Sequence, residues 1–112
     1  MRKPTDRFEA WAYWRRAIAG EAVRIDQDEI RCGFYRARKD GRHVAISIDL
    51  EQALDDAGEL VGQERFVCLV DGVAKDAERV WPYCCAHPIT QDEHDRLRRA
   101  PVVTDLTRAV VV

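Results

Sequence analysis

The chain has 112 residues, of which 46% are hydrophobic and 34% are charged, and its formal net charge is −2. This composition excludes a disordered chain, which would combine low hydrophobicity with high net charge. No apolar run is long enough to span a bilayer, and Asp6 and Glu9 interrupt the N-terminal region before an apolar signal segment could form. We therefore expect one domain over residues 1–112, located in the cytosol and without contact to a membrane. In that compartment the four cysteines would be free thiols.

The first predicted element is a helix over residues 7–19. Asp6 and Glu9 are spaced as in a capping box, and Gly20 suits the position after the last helical residue. At 100° per residue, one apolar stripe faces the core, and its members are Phe8, Trp11, Trp14 and Ile18. Arg15 lies at the edge of this stripe, where we expect it to stack on one of the two tryptophans.

The dipeptide Asp40-Gly41 predicts a two-residue type I′ hairpin with strands over 32–38 and 43–49. Folding about this dipeptide places small, apolar or aromatic residues opposite one another: Gly33 with Ile48, Tyr35 with Ile46, and Ala37 with Val44. The opposite face would then carry Phe34, Arg36, Arg38, His43, Ala45 and Ser47.

The next segment, 50–62, is ambiguous. It fits a helical period after Asp49 as N-cap, but residues 56–59 also fit a turn; we take a short helix followed by a loop. Residues 65–70 are apolar on both alternations, which predicts a central strand covered on both faces and ended by a turn at Asp71-Gly72.

Two C-terminal helices are predicted. The first covers about 77–86 with Asp76 as N-cap, although Pro82 suits only a first helical turn and leaves the boundary open. The second begins after Thr90, which forms a capping box with Glu93. The tail over 102–112 is β-prone and could add an edge strand or dock on a partner. The expected fold is therefore α+β, with a small antiparallel sheet of three or more strands packed against an N-terminal helix and C-terminal helices.

Several motifs carry a resemblance to a known group of proteins. They are Phe8-x-x-Trp11-x-x-Trp14-Arg15, Gly33-Phe34-Tyr35-Arg36, Val70-Asp71-Gly72, Trp81 and Pro88-Ile89-Thr90. Over about residues 8–97 the chain resembles small uncharacterised proteins encoded in bacteriophage and prophage genomes. The resemblance implies a phage or mobile-element origin, and thus a bacterial host cytosol, but it implies no activity and no catalytic residues.

The sequence offers little that is typical of an enzyme. Its only cluster of metal-ligand types is Cys84, Cys85, His87 and His94. Zinc sites usually take ligand pairs spaced so that each pair can chelate, whereas adjacent cysteines on a helix point about 100° apart. Phosphate-binding glycine loops, nucleophile elbows and metalloprotease motifs are all absent from the sequence. We expect no metal, no cofactor and no catalytic activity.

The charge pattern indicates binding. Arginines cluster in three groups, whereas 44–64 contains acidic residues and no basic one; codon bias and ordinary solvated faces would explain this as well. The preferred hypothesis is an accessory protein that binds a host protein, with inhibition of an enzyme or defence complex as one outcome, through an acidic segment formed by Asp49, Glu51, Asp55, Asp56 and Glu59. The alternative is nucleic-acid binding on the hairpin face through Phe34, Arg36, Arg38, Arg42 and His43. The oligomeric state stays open.

Overall fold

A computed structural model of the chain describes residues 3–98. Its centre is an antiparallel four-stranded sheet in the order β1-β2-β3-β4. The strands are β1 (Gly33–Lys39), β2 (Arg42–Glu51), β3 (Arg65–Val70) and β4 (Val73–Lys75). Helices precede and follow this sheet, so the predicted α+β class is confirmed.

The predicted hairpin register is confirmed pair by pair. Gly33 lies opposite Ile48, Tyr35 opposite Ile46, and Ala37 opposite Val44. The turn residues Asp40 and Gly41 both have positive φ, 54° and 81°, as a type I′ turn requires. Register was predictable because a slip by one residue would move every apolar side chain to the other face.

A second tight turn follows β3. Asp71 and Gly72 have φ of 52° and 85°, and they lead into β4, a strand that the sequence analysis did not predict. The expectation that both faces of β3 are covered is wrong. Cys68 is buried, but Leu69 on the opposite face is 37% exposed and Phe66 on the Cys68 face is 38% exposed, so the described residues leave part of each face open.

The core lies between the sheet and helix α3 (Ala77–Cys84). Asp76 caps this helix by accepting a hydrogen bond from the Glu78 N–H at 3.0 Å, as predicted. Trp81 is buried against Tyr35, with ring centroids 5.2 Å apart, and its Nε1 donates to the Asp26 carbonyl at 2.8 Å. Pro82 lies inside the helix instead of in its first turn.

The single helix expected over 7–19 is instead two short ones, α1 (Arg7–Ala10) and α2 (Ala12–Ile18), separated at Trp11. The Trp11 indole reaches across to the sheet, where it packs on Phe34 and donates to Asp49. Two members of the predicted stripe, Phe8 and Ile18, are exposed.

The prediction that Arg15 stacks on a tryptophan is wrong. Its guanidinium carbon lies 3.6 Å from the centroid of the Phe8 ring. α3, and not the N-terminal region, supplies the buried helix residues of the core on the Tyr35 face, although Tyr13 and Trp14 pack against that core. Helix α2 lies against the edge strand β1, and Trp14 Nε1 donates to the carbonyls of Phe34 and Ile89 at 3.1 and 2.9 Å. The Trp14 indole N–H therefore connects α2 to the edge of β1, a contact that the amphipathic period of the helix does not predict.

The short helix expected in 50–62 is absent from the structure. β2 continues to Glu51, and the following residues form a turn closed by a bridge between Leu54 and Leu60. The Asp55 side chain accepts from the N–H groups of Ala57 and Glu59 at 2.9 and 3.0 Å. This local capping of the turn, together with Gly58 at φ 80°, outweighs the helical period of the apolar residues.

A last helix, α4, runs over 91–98 to the end of the described residues. Thr90 caps it, because its Oγ1 accepts from the Glu93 N–H at 3.2 Å. α4 lies on the Phe34 face of the sheet, where the rings of His94 and Phe34 are in contact with their centroids 4.6 Å apart. The predicted strand or docking segment at 102–112 lies outside the described residues. In the described part of the chain, no helix has the length and apolar character needed to cross a membrane.

Candidate functional site: an acidic cleft beside helix α3

The structure separates the residues that the sequence analysis assigned to a basic hairpin face. Phe34 is half-buried among Trp11, Trp14 and His94, so it has a packing role. Arg36 pairs with Glu93 at 3.3 Å, and Arg42 pairs with Asp71 at 3.6 Å. Arg38 and His43 are exposed cross-strand partners near the hairpin end, and neither forms an ion pair with another described residue.

Much of the predicted acidic segment serves the fold. Asp49 binds Arg7 at 3.2 Å and accepts from Trp11 Nε1 at 3.1 Å, which holds the N-terminal region to the sheet. Glu51 pairs with Arg65 on the neighbouring strand at 3.0 Å, and Asp55 caps its own turn. Asp56 and Glu59 remain on the surface turn, where no hydrogen bond or ion pair holds either carboxylate to another described residue.

The four metal-ligand types near the C-terminus do not converge. Cys84 and Cys85 are buried in the core beneath the Tyr35 face, whereas His94 packs on Phe34 on the opposite face of the sheet. His87 lies at the β1 edge, where its carbonyl accepts from the Arg36 N–H at 3.0 Å. Across residues 3–98, no group of three or more His, Cys, Asp or Glu side chains could hold a metal ion.

The buried thiols are poor nucleophiles. Burial raises the pKa of Cys32 and of Cys68 to about 11, and a nearby carboxylate, Asp49 or Asp76 respectively, adds to each shift. Burial likewise raises the pKa of Cys84 to about 12. Because the thiolate is the reactive form, these three side chains stay protonated and unreactive at neutral pH.

An open cleft of about 820 Å³ lies beside α3. Its floor is apolar, formed by Cys32, Leu50, Phe66 and Trp81. Phe66 is 38% exposed, so its ring is available to a ligand. The walls come from the N-terminal segment, from residues 27–32 and from the start of α3, three parts of the chain that only the tertiary fold brings together.

The rim of this cleft is strongly acidic. Five carboxylates line it against one guanidinium, that of Arg31: Glu9, Asp28, Glu29, Glu64 and Glu78. Glu29 pairs with Arg31 at 2.7 Å, and Glu64 accepts from Thr5 and Gln52. The side chains of Glu9, Asp28 and Glu78 have no hydrogen bond or ion pair to another described residue. The cleft therefore offers negative charge around an apolar floor.

Sequence reasoning missed most of this cleft. Only Leu50 and Glu64 lie within the 44–64 stretch whose charge pattern had been noted, and neither was named as a site residue. The short acidic run Asp26-Gln27-Asp28-Glu29 was a visible signal. Nothing local to Glu9 or Glu78 distinguishes them from ordinary residues in a first helical turn, where acids are favoured anyway.

Comparison of the chain with protein-family models, with curated proteins and with solved structures finds no match. The functional argument therefore rests on the geometry of the molecule itself.

Proposed function

We propose that this chain is a non-catalytic protein-binding module that takes a basic segment of a partner protein in the acidic cleft. The observation that carries the proposal is the juxtaposition of an exposed aromatic floor residue, Phe66, with a rim of five carboxylates and one guanidinium. An apolar anchor inserted between lysines or arginines would match both features.

The unpaired carboxylates support a ligand-binding role more than a structural one. Glu9, Asp28 and Glu78 contribute no ion pair within the described residues, so their charges are free to attract a cationic partner. Rim charges act mainly on the association rate, and their effect declines with salt. If the chain is encoded by a phage, as the resemblance implies, the partner would be a host protein and binding could inhibit it.

The site differs from the acidic segment expected at first. Asp49, Glu51 and Asp55 are engaged within the fold, whereas the cleft gathers carboxylates from distant parts of the chain. The surface turn that carries Asp56 and Glu59 thus becomes a matched control, because removing its charges changes the net charge without touching the cleft.

Photo-crosslinking tests the proposal directly. Phe66 is replaced by p-benzoylphenylalanine in the full chain, expressed in bacterial cells, and the crosslinked peptides are identified by mass spectrometry. Val73, which is 56% exposed on β4, takes the same replacement as a positional control. We expect Phe66 to capture a segment rich in lysine and arginine, and Val73 not to capture it. Capture of an acidic or uncharged segment, or equal capture from both positions, would overturn the proposal.

The captured segment is then synthesised as a labelled peptide and titrated with charge variants. We expect Asp28→Asn combined with Glu78→Gln to weaken binding about five- to tenfold at low salt, at roughly 0.5–0.7 kcal/mol per rim charge. Asp56→Asn combined with Glu59→Gln makes the same change in net charge and should leave affinity within about twofold. Equal losses in the two double variants would mean that overall charge, and not the cleft, attracts the peptide.

A further inference from the structure

A second, smaller concavity lies at the other end of the sheet. This notch has a volume of about 300 Å³ and is lined by Arg36, Ala37, Arg38, His43, Tyr83 and His87. Its lining contains two arginines and two histidines but no acidic residue, so its charge is opposite to that of the cleft. The two sites are separate, because His43 and Leu50 are seven residues, or roughly 23 Å, apart along β2.

The aromatic member of the notch is unusually accessible. Tyr83 is 75% exposed, the highest value among the large hydrophobic residues of the described part of the chain, although it lies on α3 only two residues after the buried Trp81. An exposed ring of this kind does not contribute to the core. It leaves a flat aromatic face beside the basic side chains of the hairpin.

The fold holds these basic side chains close together. Arg38 and His43 are direct cross-strand partners, so their Cβ atoms lie about 5 Å apart. The Arg38 Nη2 donates to the Gly41 carbonyl at 3.2 Å, which keeps the guanidinium at the hairpin end. His87 is held at the β1 edge by the hydrogen bond between its carbonyl and the Arg36 N–H. Arg36 is already paired with Glu93, so Arg38 and the histidines are the groups available to an anion.

We propose that this notch binds a nucleotide unit, with its base stacked on Tyr83 and its phosphate held by Arg38, His43 and His87. Proteins that bind single-stranded nucleic acids combine an aromatic face with basic donors, because every base has a π-face and every nucleotide unit carries a phosphate. The site is distinct from the hairpin face expected from sequence, because Tyr83 and His87 replace Phe34. The ligand could come from a free nucleotide or from a single strand, and the two sources share this chemistry.

Three probes distinguish the sources. A fluorescein-labelled twelve-nucleotide oligothymidylate is followed by fluorescence anisotropy, thymidine 5′-monophosphate by NMR titration, and a blunt-ended DNA duplex of the same length serves as comparator. Binding of the strand alone identifies a strand as the ligand, and binding of the monophosphate at comparable affinity identifies the free nucleotide. Absence of binding by both, or duplex binding as tight as that of the strand, would overturn the proposal, because duplex bases are already stacked.

Four variants of the full chain test the residue assignments on whichever probe binds. Tyr83→Ala should weaken binding about tenfold, while Tyr83→Phe, which retains the ring, should bind like wild type. If the strand is the ligand, Arg38→Gln should make the dependence of log K on log salt shallower by about 0.7, because the variant makes one phosphate contact fewer and its binding releases fewer counterions. Arg65→Gln removes the same charge at the far end of β3 and should leave the affinity unchanged. Wild-type binding by Tyr83→Ala, or equal losses from the two arginine variants, would contradict the assignment.

Discussion

At the scale of single residues, Gly33 shows most clearly how tertiary contacts determine which residue is tolerated. It begins β1 with φ +155°, and a Cβ built there would lie 2.6 Å from the Trp14 Cδ1 atom. The Trp14 indole donates from Nε1 to the neighbouring Phe34 carbonyl, so the ring cannot move away without losing that hydrogen bond. Glycine is therefore required twice, by the backbone conformation and by the close approach of the indole.

This double requirement predicts the effect of adding one methyl group. Gly33→Ala should destabilise the protein by about 3 kcal/mol, combining backbone strain with overpacking. Gly41→Ala is the matched control: its φ is +81° but no atom lies within 4 Å of its would-be Cβ, so only strain of about 1 kcal/mol is expected. Urea unfolding measures both changes. Equal destabilisation by the two substitutions would show that the contact with Trp14 costs nothing.

At the scale of elements, the hairpin was predictable in full, whereas the first helix was predictable in its position and its Asp6 cap but not in its interruption at Trp11. The Asp40-Gly41 turn and the alternation of the flanking strands agree on one register, so local and long-range preferences support each other. In the N-terminal region only part of the predicted stripe packs: Trp11 and Trp14 both contact Phe34, whereas Phe8 and Ile18 are exposed. The helix is interrupted at Trp11.

The cap of α4 gives a prediction at this scale. Thr90→Ala should lower the free energy of unfolding by about 1 kcal/mol, because the Glu93 N–H loses its Oγ1 acceptor. Thr90→Ser keeps the oxygen and should cost only a small part of that amount. Denaturation midpoints of the three proteins measure the difference. A serine variant as unstable as the alanine variant would mean that the methyl group, and not the cap, stabilises this end of the chain.

At the scale of the whole molecule, buried ionisable groups link stability to pH. Burial raises the pKa of Cys32 and Cys68 to about 11 and that of Cys84 to about 12, and it also raises the pKa of Tyr35. In the unfolded chain a thiol ionises near about pH 8.5. At a pH between the pKa of a thiol in the unfolded chain and its higher pKa in the folded protein, the unfolded state binds fewer protons than the folded state. Stability therefore falls as pH rises through that interval.

We therefore expect the free energy of unfolding to fall by a few kcal/mol between about pH 8.5 and 11. Unfolding in urea across that interval, under reducing conditions, measures the decline. The variant Cys68→Ala removes one of the responsible thiols and should show a shallower decline, even though the cavity lowers its stability at neutral pH. A wild-type curve that stays level through the interval would contradict the assignment of these thiols as buried and protonated.

The whole molecule also separates its charges along the strands. The acidic cleft lies where β2 and β3 carry Leu50 and Phe66, and the basic notch lies at the hairpin end of the sheet. The net charge of −2 conceals this separation, because the 18 basic and 20 acidic residues of the chain nearly cancel. Surface fields of this kind orient charged partners before contact, so the two proposed ligands would approach opposite ends of the molecule.

The sequence by itself determined the α+β class, the hairpin register, β3 and the caps at Asp6, Asp76 and Thr90, because each depends on residues close together in the chain or on strict alternation. Only the tertiary structure decided which helix covers the Tyr35 face, and that Phe34 serves packing while Tyr83 stays exposed. It also decided the acidic cleft, whose carboxylates are up to 69 positions apart, from Glu9 to Glu78. A local sequence pattern does not predict contacts between residues so far apart in the chain, because these contacts depend on how separate elements pack around one buried core.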